Sequence, residues 1–280
     1  MTWLDLARRG KTTWWRYLVA WPLAIVAAIL TIALLLAAPI WLRWLPASIA
    51  SDMQSAAHPI LFYGGQGLSF AAFLLGFWAA IRLMHGKRFA DIRGAWRWRQ
   101  FFTGAGVWLI ALILCTLIDY ALRPKGFVLR LNLTPAVALV AALGLLVQTF
   151  TEEFVFRGYL SQSVLLATKN PVVTVIVSAL LFGALHIPNG LPQAAGAVVF
   201  GLAATTMALR TDSLSLSYGV HFVNNLFGAI VVVSANDVFK GAPALITQNT
   251  PDLMWSDTVI GAVALLAATV LLLRPWKRAV

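Results

Sequence analysis

The sequence predicts an all-α protein, a polytopic transmembrane helical bundle of about eight membrane-spanning helices. Of its 280 residues 60% are hydrophobic and only 11% are charged, and the mean hydropathy is +0.83. A soluble domain carries charge on about a quarter of its residues, so these values exclude the ordinary globular classes. A hydrocarbon core of about 30 Å takes about 20 apolar residues of helix to cross, and such runs recur along the chain.

Eight spans are expected, at 18–40, 60–83, 101–121, 134–150, 171–186, 192–209, 214–233 and 255–273. The first follows Arg8, Arg9, Lys11 and Arg16 and lacks a small-residue cleavage site, so it reads as a retained span and not a signal peptide. The second opens on "YGGQG" at 63–67, suited to close helix packing. The third holds Cys115, the one cysteine, which excludes an internal disulfide and reads as a packing residue. The fourth continues as helix to about 167 and carries "TEEFVFRGYL" at 151–160, with the only two glutamates of the chain. The fifth follows an Asn170-Pro171 turn and ends in "FGALHIPNG", closed by Pro188 and Gly190. The seventh carries "HFVNN" at 221–225.

The net charge of +11 fits the positive-inside rule better than nucleic-acid binding. Lys and Arg gather at 8–16, in the loop from Arg82 to Arg99, at 157–169 and in the tail Arg274, Lys277 and Arg278. An even number of crossings places all four on one side of a cell membrane, with both termini cytoplasmic; Arg123, Lys125 and Arg130 fall on the other side. Trp14, Trp15, Trp21, Trp41, Trp44, Trp96, Trp98, Trp255 and Trp276 sit near span ends, as interfacial anchors do. His58 and His85 read as interfacial, and Asp119 as an i, i+4 partner of Arg123. No repeat or soluble segment interrupts the chain, so 1–280 reads as a single integral-membrane domain with its chemistry in about 134–235.

Ionisable groups at membrane depth cost about 2.5 to 3.5 kcal/mol each, so they pair or face a wet cavity. Neighbours on a helix point about 100° apart, which separates Glu152 from Glu153. Glu153 lies four before Arg157 and is expected to pair with it, while Glu152 shares a face with Gln148, Phe156 and Tyr159. Phe182 and His186 are again at i, i+4, and Glu152 and His186 both lie about 22 Å from the turn joining their helices. His221 and Asn225 form a third i, i+4 pair, with Asn224 turned away. A carboxylate, two imidazoles and a carboxamide are the parts for attack by activated water. Glu152 is the candidate general base, His186 the group that orients water, and His221 with Asn225 the oxyanion donors. Phe182 reads as packing.

The order Glu-Glu-x-x-x-Arg (152–157), Phe-x-x-x-His (182–186) and His-x-x-x-Asn (221–225) on consecutive helices resembles the CPBP or Abi family. That family includes type II CAAX prenyl endopeptidases and proteins linked to bacteriocin self-immunity. The resemblance covers about 134–235 and implies a metal-independent glutamic intramembrane endopeptidase in which Glu152 and His186 activate water and His221 and Asn225 form the oxyanion site. It adds Glu153 and Arg157 as motif residues. It implies no cofactor, and as partners membrane lipids and a peptide or protein substrate, lipidated or not, with CAAX-like or hydrophobic tails cut near the cytoplasmic membrane face. Abundant Trp and Ala point to a bacterial source.

Two other function classes are compatible with these residues. One is a zinc-dependent intramembrane protease using the same Glu and His residues, although the H-E-x-x-H signature is missing. The other is a non-catalytic membrane protein that binds peptides or regulates a partner. A proton-relaying transporter lacks the repeat of broken helices that such folds carry, with "IPNGLP" at 187–192 as the one break.

Overall fold

Helix boundaries follow local chemistry in the computed structural model, which describes residues 2–235, 238–249 and 254–274. The Trp276, Lys277 and Arg278 part of the basic tail lies outside the described residues. After a one-turn helix α1 (Trp3–Ala7), capped by Thr2, eight rods run through the expected spans: α2 (Trp14–Trp41), α3 (Pro59–His85), α4 (Trp98–Leu122), α5 (Pro135–Thr168), α6 (Pro171–Ala184), α7 (Leu191–Thr211), α8 (Ser215–Leu226) and α9 (Met254–Leu273). Proline near the first turn of α3, α5, α6 and α7 forfeits an N–H that has no intrahelical partner. The Asn170 side chain accepts from the N–H groups of Val172 and Val173 and so starts α6 where the sequence placed a turn.

Six rods are long and apolar enough to cross a membrane: α2, α3, α4, α5, α7 and α9. The other two are shorter than the expected spans. At 14 residues α6 rises only about 21 Å. It turns through Ile187–Asn189 and Gly190, whose φ of +106° suits glycine, and doubles back as α7. Twelve-residue α8 widens into a π-helical turn, Phe227–Val231.

Packing runs α2 on α3, α3 on α5, α5 on α8, α8 on α4, with α9 touching both α4 and α7 and α6 paired with α7. The "YGGQG" stretch packs as its composition suggested: a Cβ on Gly67 would stand 2.8 Å from the Gly144 Cα, so α3 and α5 meet backbone to backbone.

The two ends of the bundle are closed differently. At one end a small sheet joins the loops after α4 and α8: β1 (Phe127–Leu129) pairs antiparallel with β3 (Ile246–Gln248), and β2 (Val232–Ser234) runs parallel to β3. Three-residue strands leave no periodicity to read, so the sheet was not foreseen. Asp119 is tied to it, accepting from the Gln248 side chain at 3.0 Å in place of the expected pairing with Arg123.

At the other end α1 is drawn into the bundle. The Trp3 indole donates to Ser161 Oγ at 3.1 Å, and Lys87 Nζ donates to the Ala7 carbonyl at 3.0 Å and to Gln162 Oε1 at 3.1 Å. Burial there lowers the Lys87 ammonium to about 8, with Asp91 opposing the shift. His85, expected at the interface, is fully buried between the Lys11 carbonyl and the Tyr159 hydroxyl. His58 is exposed, near Asp52.

Replacing Gly144 by Ala should separate α3 from α5 and lower stability by about 1–3 kcal/mol. Thermal unfolding in detergent measures it, and an unchanged midpoint would mean that the helix contact is loose.

Candidate active site

Helix α5 changes its winding at the paired glutamates. Glu152 ends the α-helical part, and Glu153–Leu160 winds as a π-helix before α-helix resumes at Ser161. Such widened turns are rare and concentrate at functional sites. Glu153 and Arg157 both have 0% side-chain exposure and stand 3.2 Å apart, the ion pair expected from their spacing. The Arg157 guanidinium also lies 4.0 Å over the Phe182 ring and 5.3 Å from Phe200. Phe182 therefore does more than fill space, because its π face helps to hold a cation that water cannot reach.

His221 of α8 joins the two carboxylates. Its Nδ1 is 2.9 Å from Glu153 Oε1, and its Nε2 is 3.4 Å from Glu152 Oε2. One imidazole offers nitrogens on two edges, so carboxylates that diverge on the helix both reach the same ring. The fully buried Glu153 is an acceptor only, which favours a proton on Nδ1.

From Glu152 a relay of side chains continues across three helices. Gln148 Nε2 donates to Glu152 Oε1 at 2.5 Å, and Asn225 Nδ2 donates to Gln148 Oε1 at 2.9 Å. Asn224 Nδ2 donates to Asn225 Oδ1 at 3.1 Å, and the Trp108 indole of α4 donates to Asn224 Oδ1 at 3.1 Å. Gln148, Asn224 and Trp108 were not among the expected site residues. The i, i+4 spacing of Gln148 to Glu152 was a signal available in the sequence; Trp108 gave none. Asn224, expected to turn away, belongs to the network.

His186 sits at the mouth of the α6–α7 turn, and its Nδ1 meets the Phe182 carbonyl at 2.8 Å. A carbonyl only accepts, so Nδ1 carries the proton and Nε2 is the basic nitrogen. No direct bond joins His186 to Glu152; the imidazole that reaches Glu152 is His221, which differs from the expected pairing. His186, Glu152, His221, Gln148 and Asn225 all line one cavity of about 660 Å³. Glu152 keeps 15% side-chain exposure, in contrast to the closed-off Glu153. For zinc, no three His, Cys, Asp or Glu side chains among the described residues come together as a metal-binding group.

Arg157→Met should cost about 3–5 kcal/mol, because Glu153 would be left buried without its cation. Adding Glu153→Gln should recover part of the loss, and unfolding midpoints of the single and double variants decide it.

Residues 134–227 match the family model described as type II CAAX prenyl endopeptidase Rce1-like. The uncharacterized protein YyaK of Bacillus subtilis (strain 168) is 28% identical over 279 residues, covering 94% of this chain and 93% of that protein. No solved structure matches the chain. The matched segment runs from the start of α5 into the π turn after α8 and contains Glu152, Glu153, Arg157, His186, His221 and Asn225. At family level this supports a multi-pass membrane endopeptidase. Through the segment that carries its buried polar network, the chain is similar to the Rce1-like type II CAAX prenyl endopeptidases.

Proposed function

We propose that this protein is a glutamic intramembrane endopeptidase in which Glu152 is the general base, and that it needs no metal. The observation that carries the reading is the division of labour between adjacent carboxylates. Glu153 is consumed by Arg157 and His221, whereas Glu152 lines a cavity large enough for a peptide strand.

Water in the cavity gives a proton to Glu152, and its oxygen forms a bond to the scissile carbonyl carbon. The carbonyl π electrons move to oxygen, and the second amide proton of Asn225 is the donor for that oxyanion. His186 orients the attacking water through Nε2. Collapse of the tetrahedral intermediate breaks the C–N bond, and the proton held by Glu152 passes to the leaving amine, releasing a neutral amine and a carboxylic acid that then gives up its remaining proton to water. His221 takes a different role from the one its spacing suggested. With Nδ1 bonded to Glu153 and Nε2 facing Glu152 at 3.4 Å, it is turned to the glutamates and is not free to bind the oxyanion. Gln148 restrains the other Glu152 oxygen.

Glu152→Gln should lower hydrolysis of a hydrophobic or farnesylated CAAX-type peptide by at least about 100-fold while leaving the fold intact. Chelator should leave the wild-type rate unchanged. Activity retained in Glu152→Gln would remove the glutamic mechanism, and loss to chelator would favour zinc. Peptide bound but never cut by either form would favour the non-catalytic reading.

A further inference from the structure

A second cavity lies apart from the one that holds Glu152, and no step of the proposed reaction uses it. It encloses about 430 Å³, within the range of about 300–1,000 Å³ that small-ligand sites span. Six rings line it, those of Phe89, Trp96, Trp98, Phe101, Phe150 and Tyr218. Leu146 adds an alkyl wall, and Arg93 is the one charged group.

The lining is graded from the end of the bundle inward. Trp96 and Trp98, the latter opening α4, stand where the helix begins, the level at which tryptophan meets lipid headgroups. From there the wall follows α5 from Phe150 to Leu146, one turn or about 6 Å deeper. Trp98 is 59% exposed and Leu146 37%, so the cavity opens on the flank of the bundle, the side that acyl chains cover.

Arg93 has no counter-charge. Asp91 is taken by Arg9 at 2.5 Å and by Arg88 at 3.5 Å, and among the described residues no carboxylate pairs with Arg93. Its guanidinium meets the neighbouring Gly94 carbonyl at 3.4 Å and lies 5.7 Å from the centre of the Trp96 ring. A guanidinium carries five donors in a fork that matches phosphate, and most of them stay unanswered here. An uncharged isoprenoid tail would fill the rings and leave this cation idle, whereas a lipid with an anionic headgroup meets both features at once.

We propose that this cavity binds an anionic phospholipid of the surrounding membrane, with one acyl chain against Phe101 and Phe150 and the phosphate on Arg93. The lipid braces the helices that carry the paired glutamates. The Tyr218 hydroxyl of α8 donates to the Leu146 carbonyl of α5 at 3.0 Å, and both residues line the cavity. Phe89 stacks on Phe150 and on Phe154, two residues before and two after Glu152. These contacts hold whatever chemistry Glu152 performs, so the lipid site does not depend on the peptidase reading.

The test titrates the full chain in neutral detergent with phosphatidylglycerol or with phosphatidylcholine of the same acyl chains. Retained lipid is counted by native mass spectrometry, and the thermal unfolding midpoint is followed alongside. Phosphatidylglycerol should be retained several-fold better than phosphatidylcholine and should raise the midpoint by several degrees, because a ligand that binds only the folded state stabilises it. Arg93→Gln, at a half-buried side chain, should abolish both the preference and the rise. Leu146→Trp, which fills the cavity, should lower retention of both lipids. Arg82→Gln, in the last turn of α3 and outside the cavity, removes the same charge and should behave as wild type. Equal retention of the two lipids by wild type, an unmoved midpoint, a preference that survives Arg93→Gln, or an equal loss in Arg82→Gln would each overturn the proposal. So would displacement of the bound lipid by a farnesylated peptide, which would make the cavity a seat for a substrate tail.

Discussion

A full positive charge held out of reach of water is the constraint around which this bundle is organised. Arg157 can be buried only because Glu153 stands one turn earlier and because two aromatic faces, Phe182 and Phe200, lie against the guanidinium. Those contacts draw α5, α6 and α7 together. Glu153 in turn accepts from His221 and brings α8 to the same point. Four helices thus converge on one ion pair, and the neighbouring Glu152 inherits a fixed position without being neutralised by it.

Much of this arrangement could be read from spacing. Six of the eight spans, the prolongation of the fourth helix past the glutamates and the Glu153 to Arg157 pair follow from hydrophobic run length and from i, i+4 geometry. Spacing failed where the backbone left ordinary helical winding. Treating 151–167 as uniform α-helix separated the glutamates, and only the position of His221 shows how one ring serves both. Gln148 was visible on the face of Glu152 but carried no charge to draw notice. The Trp108 to Asn224 contact joins residues more than a hundred positions apart and leaves no local trace.

Polarity misled at the bundle ends. His85 reads as interfacial and Lys87 as a basic loop charge, yet both are buried, since the N-terminal segment folds back and supplies the Ala7 carbonyl of α1, too short to register as a helix, and the Lys11 carbonyl just after it. The short α6–α7 hairpin is the counterpart of this economy. By stopping short, α6 leaves Leu185, Ile187 and Asn189 exposed on the bundle's outer side, while Phe182 stays buried and His186 lines the cavity.

The π-helical stretch from Glu153 to Leu160 also sets a phase. Each residue of α-helix rotates the chain by about 100°, so removing one residue from this stretch to restore regular winding would swing everything after it by roughly that angle. Tyr159, Ser161 and Gln162 would turn from His85, Trp3 and Lys87, while Glu152, upstream, would keep its place. The stretch therefore acts as a phase shifter between two halves of one helix. It lets the upstream half be oriented by the needs of the cavity and the downstream half by its hydrogen bonds to His85, Trp3 and Lys87, so that variation in one face need not disturb the other.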